Sequence, residues 1–335
     1  MFKYIVKRLL ISLLVLFGVS IIIYTLVRLM PNDYIDLKYA SQIQQGQITQ
    51  EDVDRFNELY GIGDKKFKGL VNGYVKWLGN VCRGNLGISF KYNKPVSTVI
   101  KNNMWISFAI AAIATILQFL IAIPLGISSA THQYSMRDYL VTIFTMIGIS
   151  LPTYFFGAIV IKIFSVNLGW FPSNGLISAG VNYPDTFAGG LSKLGDMIYH
   201  LVLPIFVSVI LSIGGLMRYT RTNTLEVLGA DYIRTARAKG LSENKVIYRH
   251  AFRNTMIPLV TLLAGILPSL FGGMMITEQV FGIPGIGNLA YKALKEGDIP
   301  FVMGYNMFLA VLTVIGTLLS DLMYSVVDPR VKLGK

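Results

Sequence analysis

Long stretches without a charged side chain place the strongest limit on how this chain can fold. An α-helix needs about 20 mostly apolar residues to cross the hydrocarbon core of a bilayer. Six stretches qualify, and the fourth reaches full length only if Ile198 or His200 is included. They are Leu9–Val27, Met104–Leu125, Tyr139–Ile161, Leu201–Met217, Ile257–Thr277 and Phe301–Ser320. We therefore predict an all-α integral membrane protein with six transmembrane helices.

The composition agrees with this fold class and argues against nucleic acid as a partner. Only 14% of the residues are charged, about half of what a soluble domain usually carries. The formal net charge of +12 could indicate nucleic-acid binding. However, the excess Lys and Arg lie in segments that flank the apolar runs, as they do in membrane proteins. We expect a lipid bilayer as the surrounding medium and no nucleic-acid partner.

The distribution of Lys and Arg also predicts the orientation of the chain. With the N-terminus inside, the inner segments hold fifteen basic residues and the two short outer loops hold three. Both termini are therefore expected to be cytoplasmic. The first run could instead be a cleaved signal peptide, because basic residues precede it. We favour an uncleaved span, since its apolar core is long and no small-x-small cleavage site precedes Met30–Pro31.

Three parts of the chain are expected from the spacing of the runs. Residues 1–30 form the first transmembrane helix, 31–103 an extracytoplasmic segment, and 104–335 a core with five further helices. We interpret the middle part as a small packed cap, because Tyr74, Trp77, Leu78 and Leu86 are residues that normally pack. The alternative is a flexible connector.

The inner loop 218–254 carries the clearest local signals outside the apolar runs. Asp231 is a suitable N-cap for a short helix over Tyr232–Lys239, and Gly240 stands where a left-handed C-cap would fall. Ser242 and Glu243 are typical of the start of a further helix. Such a short helix is unstable alone. It needs a surface on which to dock.

The two sides of this short helix differ in chemistry. Ile233 and Ala236 share one side, and Arg234 and Arg237 share another. We expect the helix to present a small apolar and basic face to the cytoplasm. The arginines could simply lie near anionic lipid, but the capped, compact helix favours a protein partner.

Several kinds of chemistry have no motif in this sequence. It contains no Gly-x-x-x-x-Gly-Lys-Ser/Thr phosphate loop, no metal-ligand spacing and no nucleophile elbow, and the glycine-rich segment 282–287 lacks a dinucleotide pattern. Arg28 and Lys162 end their runs, where long side chains reach the interface. Asp321 belongs either to a polar network or to a solute contact. We expect a transport subunit that is not an enzyme and contains no metal or catalytic residue.

Two stretches of the inner loop, 231–242 and 249–254, resemble the coupling loop of permease subunits from ABC importers of the dipeptide and oligopeptide group. Because the long outer segment follows the first span, the chain resembles the B-type subunit of the pair. Against the general importer motif, Ala236 and Gly240 match, whereas Arg234 replaces a Glu. Other similar segments are Leu78–Asn80 with Arg83–Gly84 and Leu86–Gly87, Leu203–Pro204, Val280–Phe281 with Pro284–Gly287, and Val327–Arg330.

The resemblance implies the type I ABC-importer permease fold in a bacterial cell membrane and a role in peptide uptake. It also implies a second homologous permease subunit, an extracytoplasmic substrate-binding protein and two ATP-binding subunits. ATP–Mg would be held by those partners, and no cofactor by this chain. Arg234 and Arg237 would be polar contacts, and Ile233 and Ala236 packing contacts. The residues expected to couple to the ATPase subunits are Asp231, Tyr232, Ile233, Arg234, Thr235, Ala236, Arg237, Ala238, Lys239 and Gly240.

Other functions remain alternatives at this level. Permeases of the same group could carry nickel complexes or another small solute. A self-sufficient secondary carrier or channel would need no partner, and a membrane receptor or scaffold would bind partners without moving a solute. The first alternative keeps the fold and the coupling helix, and the other two do not need the coupling helix.

Overall fold

The computed structural model describes residues 2–28, 39–46, 48–60, 67–252, 254–256, 259, 262 and 265–327. The helices are α1 (Phe2–Arg28), α2 (Gln50–Tyr60), α3 (Phe67–Cys82), α4 (Val96–Thr131), α5 (Met136–Ser150), α6 (Thr153–Val160), α7 (Phe187–Leu228), α8 (Asp231–Ala238), α9 (Glu243–Lys245), α10 (Ile266–Gly272), α11 (Met275–Val280), α12 (Ile286–Glu296) and α13 (Ile299–Val327). A helical turn over 39–44 precedes α2. The π-helical segments Ile161–Asn167 and Val246–Ala251 continue α6 and α9, and β1 (Ile88–Ser89) pairs antiparallel with β2 (Lys94–Pro95).

The apolar runs form long helices, which confirms a helical membrane protein. Within the described ranges, α1, α4, α7 and α13 are each long and apolar enough to cross a bilayer. In α7, 61% of the apolar window is buried inside the chain, against 11% in α1. The central helix of the bundle is therefore α7, and α1 lies at the edge.

Small residues allow α7 to lie close to its neighbours α4 and α5. A Cβ on Gly126 of α4 would stand 2.7 Å from the Cβ of Thr220. A Cβ on Gly214 of α7 would stand 2.6 Å from the carbonyl oxygen of Thr145. Close backbone approach at small residues is the usual way in which membrane helices pack, because lipid supplies no hydrophobic force between them.

The third predicted span is wrong as a single helix. The chain breaks after α5, and α6 with its π-helical extension leaves at an angle of 106°. Leu151 has an extended backbone (φ −84°, ψ 128°) directly before Pro152. The ring of a proline disfavours a helical conformation at the preceding residue, so the helix ends there.

The fifth predicted span, Ile257–Thr277, lies partly outside the described residues, which omit 257, 258, 260, 261, 263 and 264. Its described end differs from the prediction. Helix α10 stops at Gly272, and Gly273 has a φ of +76° that an L side chain rarely adopts. A separate short helix, α11, follows. The apolar run therefore ends as two pieces.

The segment that follows α1 packs against the bundle. Trp77 is buried, and its ring lies 5.7 Å from that of Tyr24 on α1. The hydroxyl groups of Tyr74 and Ser20 are 2.7 Å apart. Tyr74 and Leu78 pack on the same cluster, and Leu86 packs on the neighbouring one. The expectation that these four residues of the segment are packed is confirmed.

Candidate functional site

The predicted short helix of the inner loop is present as α8, directly after the central helix α7. Its start differs by one residue from the prediction. Ala230, with an extended backbone (φ −72°, ψ 149°), occupies the N-cap, and Asp231 is the first helical residue. The carboxylate of Asp231 therefore lies beside the positive end of the helix dipole instead of capping it. Gly229 and Ala230 alone separate α8 from α7.

The apolar side of α8 is turned into the chain itself. Ile233 and Ala236 are buried in a small cluster with Val246 and Ala251. Partly buried residues of the cluster are Val227, Leu228 and Leu241. The expectation that Ile233 and Ala236 are exposed as packing contacts for a partner is wrong. An eight-residue helix requires a docking surface, and the end of α7 together with the π-helical segment provides it.

The two predicted polar contacts have different surroundings. The Arg237 Nε and Nη2 atoms donate to the two carboxylate oxygens of Glu243 at 2.8 and 3.3 Å, which ties α8 to α9. Arg234 lies 3.5 Å from Asp231 in a pair whose side chains are 73% and 96% exposed. The Arg237 side chain is 42% exposed, so the Arg234 guanidinium is the more accessible of the two.

Gly240 ends α8 as predicted, with a φ of +73°. The Gly240 amide donates to the carbonyl of Arg237 at 2.9 Å, and the Lys239 amide donates to that of Thr235 at 3.1 Å. Among the described residues, no atom lies within 4 Å of the position that a Cβ would take on Gly240. Glycine is therefore favoured at this position by its backbone conformation and not by crowding.

The accessible side of α8 is polar and mainly basic. Partial burial raises the pKa of the Tyr232 hydroxyl, whereas its hydrogen bond with the Asn254 side chain lowers that pKa. The exposed residues are Asp231, Tyr232, Arg234, Thr235, Arg237, Ala238, Lys239 and Gly240. A partner would therefore meet side chains of both charges on a helix that is anchored from beneath.

A second organised site, which sequence reasoning missed, surrounds Glu278 on α11. Its side chain is completely buried, and one oxygen accepts from the Ser107 hydroxyl at 2.6 Å and from the Met274 amide at 3.2 Å. The other accepts from the Asn288 amide at 2.8 Å, in the first turn of α12. The same Ser107 hydroxyl accepts from the Ile286 amide at 2.8 Å. Glu278 therefore joins α4, α11 and α12.

This arrangement explains the glycine-rich segment 282–287. A Cβ on Gly285 would stand 2.5 Å from both carboxylate oxygens of Glu278, so only glycine allows the approach. The anion that occupies the start of α12 is thus the chain's own carboxylate. Glu278 lies one residue beyond the fifth predicted run, and a search limited to charges inside the runs passes over it. In the described part of the chain, no group of three His, Cys, Asp or Glu could hold a metal.

A second buried carboxylate, Asp298, precedes α13. It accepts from the Ser89 hydroxyl at 2.5 Å and from the amides of Lys91 and Phe301, each at 3.2 Å. Burial raises the pKa of Asp298, and the hydrogen bonds oppose that rise. The carboxyl group fastens the hairpin of β1 and β2 to the start of α13.

Comparison with known proteins gives a consistent result along the chain. Residues 122–333 match the family described as binding-protein-dependent transport system inner membrane component. The chain is similar to the oligopeptide transport system permease protein AppB of Bacillus subtilis, with 38% identity over 99% of this chain and 100% of that protein. A putative peptide permease protein of Brucella ovis is 34% identical over the same shares. The dipeptide transport system permease protein DppB of Alkalihalophilus pseudofirmus is 31% identical, again over 99% and 100%.

Proposed function

Because the chain belongs to the family of binding-protein-dependent inner membrane transport components, and is therefore a multi-pass permease subunit of the type I ABC-importer fold, we propose that its substrate is a peptide. The observation that carries this proposal is the similarity over 99% of the chain to permeases named for oligopeptide and dipeptide transport. A nickel complex or another small solute has no such support among these relatives.

The path for the solute would be shared. This chain would line half of it, and a second homologous permease subunit would line the other half. An extracytoplasmic substrate-binding protein would deliver the peptide. The charge distribution supports a cytoplasmic position for both termini and for α8.

The energy would come from two ATP-binding partner subunits that hold ATP–Mg, and this chain would hydrolyse none. Its own part is mechanical. The exposed side of α8, with Arg234 accessible, would contact a partner subunit. The opposite side rests on Val227 and Leu228 of α7 through Ile233. A push on α8 would therefore be passed to the most deeply buried helix of the bundle.

Reconstitution tests this function directly. The full complex with its binding protein, in liposomes with ATP, is expected to accumulate labelled di- or oligopeptides, and a non-hydrolysable ATP analogue should abolish the uptake. A labelled nickel chelate serves as the competing substrate. Uptake of the chelate without uptake of any peptide would refute the peptide assignment. Transport by this subunit alone would refute the dependence on partners.

A further inference from the structure

An ion pair between a buried carboxylate and a partly exposed arginine connects three membrane helices near the end of α7. Asp138 on α5 is buried, and Arg221 on α7 donates to its two carboxylate oxygens, from Nε and Nη2, at 2.9 Å each. The Ser129 hydroxyl on α4 donates to the same carboxylate and accepts from Arg221 Nε at 3.0 Å. The Tyr134 amide, in the turn between α4 and α5, donates to Asp138 at 3.0 Å.

The geometry of this pair resists separation of the helices. A bidentate contact between guanidinium and carboxylate sets the relative orientation of both groups, unlike a single point contact. Separating the two charges would leave a buried carboxylate without its cation, which is costly. Helices α4, α5 and α7 are therefore held together at this end.

The same pair lies on a direct route from α8. Arg221 and Leu228 belong to one uninterrupted helix and are separated by about two turns, or about 10 Å. Leu228 and Val227 pack in the cluster that buries Ile233 of α8. A displacement of α8 must therefore move the part of α7 that carries Arg221.

On the side of the ion pair away from α8, helix α5 has room to move. Asp138 lies in the first turn of α5, which continues to Ser150, and the 106° bend follows directly at Leu151. A cavity of about 390 Å³ beside the pair, between α5 and α7, is bordered by Thr142 and Met217. Helix α5 therefore extends as a rigid arm from the ion pair to the bend, with open space along its flank.

We propose that Asp138 and Arg221 are positioning residues that pass the movement of α8 to α4 and α5, so that work done on α8 changes the arrangement of the membrane helices. This inference rests on the proposed function, in which partner subunits move α8. From the charge distribution alone, Arg221 is one of the basic residues expected on the inner side of the membrane, and this inference gives it a specific role. Neither residue needs to touch the peptide.

The test uses Asp138→Asn and Arg221→Gln in the complete complex. The measured quantity is peptide uptake per ATP hydrolysed. We expect both variants to hydrolyse ATP at no less than about half the wild-type rate, with uptake per ATP at least about tenfold lower. Arg221→Lys keeps the charge without the bidentate contact and should give an intermediate ratio. Arg218→Gln is the matched control, because Arg218 is an exposed arginine one turn earlier on α7, and it should keep the wild-type ratio.

Uptake and ATP hydrolysis that fall in equal proportion in these variants would show a merely stabilising pair and overturn the inference. If a variant fails to assemble, Ser129→Ala and Arg221→Lys decide instead, and an unchanged ratio in both overturns it.

A second measurement separates this inference from the peptide assignment. Spin labels at exposed positions, Thr235 on α8 and Ile143 on α5, report whether ATP moves α5 together with α8, whatever the substrate. Helices that move together keep their separation, so the distance between the labels should stay nearly unchanged on addition of ATP in the wild type and should change in Asp138→Asn. An equal change in both proteins would refute the mechanical link even if peptide is transported.

Discussion

Replacing Ile233 with Ala tests whether the chain itself holds α8 in place. Ile233 is fully buried, and in the described part of the chain the other buried members of its cluster are Ala236, Val246 and Ala251. Truncation of a buried Ile to Ala costs about 2–5 kcal/mol. An eight-residue helix has little stability of its own, so most of this loss should appear as local undocking.

The size of the effect follows from the free energy. At about 1.4 kcal/mol per factor of ten, the lower limit of that cost corresponds to about a 30-fold increase in the undocked population. Hydrogen exchange of the α8 amides measures that population directly in the purified subunit in detergent, where no partner covers the exposed side of α8. Ile233→Ala should therefore speed their exchange by at least about 30-fold, and uptake per ATP should fall because α8 transmits less force to α7.

Thr235→Ala is the matched control on the same helix. Thr235 is exposed, and surface substitutions usually change stability by no more than about 0.5 kcal/mol, or about twofold in exchange. Equal protection of the α8 amides in Ile233→Ala and the wild type would refute the conclusion that the buried side of α8 anchors it.

Three further predictions concern single groups. Gly240→Ala should cost about 1–2 kcal/mol of local stability at α8, because Gly240 has a positive φ. Gly229→Ala is the control and should cost less, because Gly229 has a φ of −79°. Equal hydrogen-exchange rates of the α8 amides in the two variants would contradict this prediction. Glu278→Gln places a donor against the Asn288 amide and should lower the free energy of unfolding by about 1–3 kcal/mol. The loss should appear as a lower thermal midpoint in detergent, and an unchanged midpoint would refute that hydrogen-bond assignment. Because its pKa is raised, Asp298 binds a proton more tightly in the folded state, so its contribution to stability is complete below about pH 4 and is lost as the pH rises through the folded pKa. The thermal midpoint of the wild type relative to Asp298→Asn should therefore rise on acidification, and the opposite trend would count against this sign.

Local patterns in the sequence predicted features that depend on neighbouring residues. The apolar runs predicted the long helices, because the length needed to cross a bilayer is a property of one segment. Gly240 predicted the end of α8, because a left-handed residue favours glycine whatever surrounds it. The break before Pro152 was within reach of the same reasoning, since proline restricts the residue before it.

Features that join distant parts of the chain could not be predicted in this way. Periodicity placed Ile233 and Ala236 on one side of a helix, yet it contains no information on whether that side meets a partner or the chain itself. The residues of the ion pair, Asp138 and Arg221, are 83 positions apart. Nothing in either local sequence indicates the other.

The sequence by itself therefore determined a helical membrane protein, the position of its short capped helix and the resemblance to importer permeases, because apolar length and turn chemistry are local properties. The tertiary structure alone decided that α8 rests on α7, that Glu278 fills the glycine-rich turn, and that Asp138 and Arg221 hold three helices together. Those contacts depend on which segments approach each other, and close packing of the helices is what selects them.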